Sequence, residues 1–145
     1  MKPQIAFACF AMLLLQNVSG GSSPQTADKK EKVATFSFAD VKYFQRFAKD
    51  DQHEYTPAGQ EDLNAWTEMV TIQFYRNVKD GEALAATANA VLGNYKAANA
   101  MVAKTHSVPR TTDRPAEHLI VAIFGRPEFI EAAFSRFRMH EGVGT

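Results

Sequence analysis

The sequence predicts an α+β domain in which an antiparallel sheet of about five or six strands packs against one main helix, over about residues 80–97, and a short helix, over about residues 57–66. Three observations lead to this class. The segment EALAATANAVLGNYKAA has helical periodicity, and most of the remaining chain consists of short apolar segments separated by turn residues. The run LIVAIF, residues 119–124, is typical of a central strand buried on both faces.

The first three segments favour strands. Residues 33–38 form one candidate, and VKYFQRFAK and QHEYT form two more, joined around Asp50-Asp51. A helix remains an alternative for the second segment, because Val41, Phe44 and Phe47 also fit helical spacing.

The short helix is predicted from its first turn. Thr56 is a residue that caps helices, and Pro57 fits the first helical position because the N–H it lacks has no partner there. Glu61 and Asp62 lie early, where the helix dipole favours anions, and the helix ends at about Trp66.

A strand and the main helix follow. Residues 67–75 alternate apolar and polar side chains, as a half-buried strand does. Asp80 opens the main helix, whose alanines favour the helical state. Its apolar stripe comprises Leu84, Ala88, Val91, Leu92 and Tyr95.

The C-terminal third is predicted to form further strands. Residues 101–108 form a strand and residues 109–115 a polar loop before the central run. PEFIEAAFSRF fits a helix from Pro127, yet FSRFRM alternates like a strand, and we expect a strand from about Ile130. The turn-like residues 141–144 have no evident return strand, so we expect that a C-terminal strand is missing and that the open sheet edge can pair with another chain.

The N-terminus has the pattern of a secretory signal peptide. Lys2 precedes an apolar run over residues 5–15, and small residues follow it. This run of about 11 residues is shorter than the roughly 20 that a membrane-spanning helix needs. We therefore expect a signal peptide over residues 1–20, a flexible polar tether over 21–32 and a single domain over 33–145, exported to the periplasm or secreted.

Cysteine content and charge argue against thiol-dependent functions and against nucleic-acid binding. The single cysteine, Cys9, lies in the apolar run, so a cleaved chain would have no thiol for disulfides or catalysis. The chain has 16 basic and 16 acidic side chains and no basic stripe, which argues against nucleic acid as a partner.

The candidate ligand-binding residues lie in the loop after residue 108. Arg110 and Arg114 provide two guanidinium groups, which suit a carboxylate or a phosphate. Tyr55 is a further candidate, as part of an aromatic lip with Trp66. The loop candidates are Arg110, Thr111, Thr112, Asp113 and Arg114.

Residues for catalysis or metal binding do not form a recognisable motif. The histidines at 53, 106, 118 and 140 include no HExxH pair, and there is no GxSxG elbow. The carboxylates at 54, 61, 62 and 68 read as a solvated surface. We expect no metal, no cofactor and no catalytic residue.

The stretches QHEYTPAGQEDLNAWTEMVTIQFY, VLGNYKAAN, VPRT and PAEHLIVAIFGRPEF resemble a group of small exported proteobacterial proteins of unassigned function. The order of helix and strands also resembles the extrinsic photosystem II protein PsbP and its relatives, a likeness of architecture that implies no shared site. We expect non-catalytic binding of a small ligand or an envelope protein. The alternative is a hydrolase that uses carboxylate or histidine chemistry. A deep polar pocket with His53, Glu54 or His106 would favour the hydrolase, and an apolar surface the binding protein.

Overall fold

The computed structural model describes residues 5–7 and 35–145, and within them nine strands and one helix. The tether and all but three residues of the expected signal peptide lie outside the described residues, so both stay predictions. The elements are β1 (Ile5–Phe7), β2 (Thr35–Phe38), β3 (Val41–Lys49), β4 (Gln52–Pro57), β5 (Val70–Gln73), α1 (Gly81–Ala97), β6 (Met101–Val108), β7 (Glu117–Gly125), β8 (Ile130–His140) and β9 (Val143–Gly144).

The strands before the helix form one antiparallel sheet in the order β2-β3-β4-β5, which we call the N-terminal sheet. Asp50 adopts a positive φ of 52° in the turn between β3 and β4. The predicted pair of strands around this turn is therefore confirmed, and the helical alternative for residues 41–47 is wrong. Polar side chains at the strand ends favour such turns.

The strands after the helix form a second sheet in the order β1-β8-β7-β6, with β9 also paired to β8, which we call the C-terminal sheet. All of its pairs are antiparallel except β1 with β8, which is parallel. The LIVAIF run is the interior strand β7, as predicted, but only one of its faces is fully buried, so the expected burial on both faces is wrong. Its burial alternates: Ile120, Ala122 and Phe124 are buried, and the residues between them are half-buried.

Helix α1 covers one face of the C-terminal sheet. The Asp80 carboxylate caps the helix by accepting a hydrogen bond from the Ala83 N–H at 2.8 Å. The predicted stripe faces the core: Leu84, Ala88 and Tyr95 are buried, and Val91 and Leu92 pack against them partly buried. Within the described chain, no helix is both long enough and apolar enough to cross a bilayer.

The predicted short helix over residues 57–66 does not form. Pro57 ends β4, and the following residues make turns closed by backbone bonds from Gln60 to Pro57 and from Ala65 to Asp62. Thr56 is fully buried, and its hydroxyl donates to the Gln60 carbonyl instead of capping a helix. The tertiary position of Thr56 therefore outweighs its local capping preference.

The α+β class is correct, but the single sheet of five or six strands is wrong, because the strands divide into two sheets. An isolated bridge between Tyr75 and Gly144 joins the sheets. The reason is the position of the helix in the chain: strands joined by short turns pair with each other, and α1 separates the two groups.

The C-terminal turn has a return strand. Glu141 and Gly142 have positive φ and lead into β9, which pairs with β8. Thr145 extends this pairing, because its N–H and carbonyl both bond to Arg138 at 2.9 Å. These contacts occupy the β8 edge around Arg138, and whether a longer strand is missing stays a prediction.

Candidate functional site

A cavity of about 630 Å³ lies where the two sheets meet, and we call it the intersheet cavity. Its volume lies in the range of about 300–1,000 Å³ usual for small-molecule sites. The lining is mostly apolar and aromatic. It comprises Phe36, Phe38, Tyr43, Glu68, Met69, Val70, Thr71, Ile72, Gln73, Tyr75, Phe134, Ser135, Arg136, Phe137, Arg138 and Thr145.

The wall on the N-terminal sheet is built from stacked aromatic rings. Phe36 and Tyr43 lie opposite each other on β2 and β3, and their ring centroids are 5.1 Å apart in nearly parallel planes. Tyr55 on β4 meets the edge of Phe36, also at 5.1 Å. Strand pairing therefore holds these rings in place independently of any ligand.

The Tyr43 hydroxyl is the main polar group of this wall. It donates a hydrogen bond to the Glu68 carboxylate. Burial, together with this bond and the negative charge of Glu68, raises the pKa of Tyr43 to about 12. Tyr43 is therefore a neutral hydrogen-bond donor throughout the physiological pH range.

The cavity has two exposed aromatic side chains in its lining. Phe38 at the end of β2 is 64% exposed, and Phe134 on β8 is 55% exposed. Large aromatic residues in a solvent-accessible lining leave apolar surface that an incoming molecule can cover. The two residues come from different sheets but line the same cavity. A molecule that fills the cavity would therefore contact both.

Two arginines of β8 line the cavity with different partners. The Arg136 guanidinium binds the Glu117 carboxylate on β7 through bonds of 2.8 and 2.9 Å. Arg138 approaches the ring nitrogen Nδ1 of His140 at 3.5 Å, and no ion pair to it is found among the described residues. Arg138 is thus the lining cation whose charge is not matched by a carboxylate.

One lining hydroxyl has no protein partner. The Oγ1 atom of Thr71 on β5 is shielded from solvent and makes no hydrogen bond within the described chain. A buried hydroxyl without a partner is unfavourable in the folded protein. A polar group of a bound molecule could satisfy it.

The residues predicted from the sequence are not at this cavity. The loop residues 110–114 are exposed, and a bond of 2.9 Å from the Thr111 N–H to the Arg114 carbonyl closes a turn there. Tyr55 is 9% exposed and packs within the N-terminal sheet, behind Phe36. None of them lines the cavity. A binding role for the loop stays a prediction.

The histidines and carboxylates are dispersed. His53 contacts Gln45 at 3.0 Å, and His118 contacts the Ser107 hydroxyl at 2.9 Å. His106 and His118 share a smaller cavity of about 160 Å³ with Glu117 and Arg136. Within residues 35–145 no group of three or more histidine, cysteine or acidic side chains is placed to hold a metal ion.

The acidic residues after β4 act in local structure. The Gly59 N–H donates to Glu61 at 3.1 Å and lowers the pKa of that carboxyl group, with a smaller contribution from Arg46 at 3.0 Å. Asp62 accepts a bond of 2.8 Å from the Asn64 N–H. Both side chains stabilise turns in the segment where a helix was expected.

Comparisons with protein-family models, with curated proteins and with solved structures gave no match.

Proposed function

We propose that the protein is an exported, non-catalytic binding protein that holds a small apolar ligand in the intersheet cavity. The observation that carries this proposal is the aromatic lining, with exposed Phe38 and Phe134, of a cavity of about 630 Å³. Export is supported by the signal-peptide pattern of the N-terminus. A relationship to the small exported proteobacterial proteins that the sequence resembles is part of the same proposal.

The lining supports binding more than hydrolysis. His53, Glu54 and His106 would be the groups for carboxylate or histidine chemistry, and none of them lines this cavity. A general base must reach the proton that it removes, within about 3 Å or through one water. Glu68 is the one carboxylate among the described lining residues, and it already accepts the Tyr43 hydrogen bond, so the hydrolase alternative has less support at this site than binding.

The neutral apolar dye Nile red tests the proposal. Its fluorescence should rise on binding, and Phe134→Ser should weaken the binding about tenfold, because the loss of apolar contact corresponds to roughly 1.4 kcal/mol. Fluorescence titration of both proteins gives the two dissociation constants.

Ile130→Ser is the matched control. Ile130 lies on the same face of β8 as Phe134 and is 62% exposed, but it does not line the cavity. It should bind the dye as the unchanged protein does. Absence of dye binding, or equal weakening by both substitutions, would contradict the proposal.

A further inference from the structure

We infer that the ligand of the intersheet cavity is a single-chain amphiphile with one anionic headgroup, and that Arg138 binds this headgroup. The inference rests on the proposed function and adds the ligand's chemical class. A hydrocarbon chain suits the aromatic lining, and a carboxylate or a phosphate is the complement of a guanidinium group.

Arg138 differs in its partners from four other arginines that lie in the strands or close to their ends. The ion pairs of the others have N–O distances of 2.6–3.0 Å. They are Arg46 with Glu61, Arg76 with Asp51, Arg126 with Glu131, and Arg136 with Glu117. The contact of Arg138 to His140 is longer, at 3.5 Å, and its partner is an imidazole ring, which carries no negative charge. An anion at Arg138 would therefore not have to displace a protein carboxylate.

The backbone at Arg138 is held on both sides. Arg138 pairs with Glu117 of β7 on one side and with Thr145 on the other, the latter through two bonds of 2.9 Å. The base of the side chain is thereby fixed beside the cavity before a ligand arrives. Such preorganisation reduces the entropy cost of binding.

The other charges of the lining favour one orientation of the ligand. Glu68, on the N-terminal sheet side, carries a carboxylate that accepts the bond from Tyr43, and it repels a second anion. Arg138 lies on the C-terminal sheet side. The headgroup therefore binds on the β8 side, and the hydrocarbon chain lies against Phe36 and Tyr43.

Displacement of bound Nile red distinguishes the headgroups. Laurate and dodecyl phosphate should displace the dye at about three- to tenfold lower concentration than dodecanol, and dodecyltrimethylammonium should be weaker than dodecanol. Added salt should reduce the difference in displacing concentration between the anionic amphiphiles and dodecanol, because the headgroup contact is exposed to solvent and is screened by ions. Monomeric concentrations of each amphiphile, checked by light scattering, exclude micelles as the cause.

Arg138→Gln should remove the preference for laurate over dodecanol, and the dissociation constant of the dye, measured for each variant, corrects the competition for any change in dye affinity. Arg76→Gln is the control, because that guanidinium pairs with Asp51 and does not line the cavity, and it should keep the preference. Circular dichroism verifies that both variants fold.

The outcomes separate the two proposals. If Nile red does not bind, the proposed function is wrong. If the dye binds but laurate and dodecanol compete equally with it in the unchanged protein, only the inference of an anionic headgroup is wrong. If Arg138→Gln keeps the preference, or Arg76→Gln also removes it, the assignment to Arg138 is overturned.

Discussion

The raised pKa of Tyr43, in the aromatic wall of the cavity, makes the stability of the folded protein depend on pH. This pKa of about 12 exceeds the usual value of 10.0, so the unfolded chain releases this proton at lower pH than the folded protein does. Stability from this group is complete below about pH 10 and declines as the pH rises from there to about 12. Thermal unfolding of the protein and of Tyr43→Phe, followed over this pH range, measures the contribution.

The Tyr43→Phe variant should lose less stability over the same range, because it lacks the titrating hydroxyl. Glu68→Gln keeps the hydroxyl but removes the negative charge beside it, and it should lie between the two. Identical pH dependence of the protein and Tyr43→Phe would show that this hydroxyl does not titrate abnormally.

The strand β9 connects the two sheets. Its residue Gly144 lies so close to Val78 that there is no room for a side chain. A Cβ atom at Gly144 would lie 2.6 Å from Cγ1 of Val78 and 2.8 Å from its Cβ. Val78 is buried, and its carbonyl accepts a bond of 3.0 Å from the Gly144 N–H. We expect Gly144→Ala to lower the free energy of unfolding by about 1–3 kcal/mol, as overpacking does.

Gly125 at the end of β7 provides the comparison. A Cβ atom there meets no atom within 4 Å, so Gly125→Ala should change stability by less than about 0.5 kcal/mol. Urea unfolding of the two variants measures both values. Equal stability of the two variants would contradict the close packing of β9 against Val78.

Elements with strong periodicity could be predicted from the sequence. The stripe from Leu84 to Tyr95 and the run LIVAIF repeat over enough residues to define a helix and an interior strand. The helix over residues 57–66 was predicted from capping chemistry alone. Because Thr56 is buried and bonded to Gln60, a contact that no local pattern reveals, that prediction was wrong.

The cavity could not be predicted, because it depends on which strands face each other. Phe36, Tyr43 and Phe134 each fit a strand pattern, but Phe134 lies about ninety residues after Tyr43 in the chain, and no spacing rule connects them. The signal available in the sequence was the spacing of Phe134, Arg136 and Arg138, which puts all three on one face of the predicted strand. The Arg110–Arg114 loop was chosen for its composition, whereas the two arginines at the cavity are in a strand.

At the scale of the whole molecule, the buried cluster under α1 comprises residues between Val78 and Phe137. The N-terminal sheet begins at Thr35, and β1 adds pairing only along Ile130–Ala132 of β8. A cleaved signal peptide would remove β1 and leave both sheets and the helix.

We therefore expect residues 33–145 to fold without the preceding segment. Circular dichroism and thermal unfolding should give the same cooperative transition for this chain as for residues 21–145, because the buried cluster under α1 comes from residues 78–137 and the polar tether is predicted to be flexible. Nile red binding should also be retained, since the lining residues that the structure describes all follow position 35. A chain of residues 33–145 that unfolds without cooperativity, when the longer chain is cooperative, would place essential packing before residue 33. Neither chain contains β1, so any difference between the two transitions is due to residues 21–32.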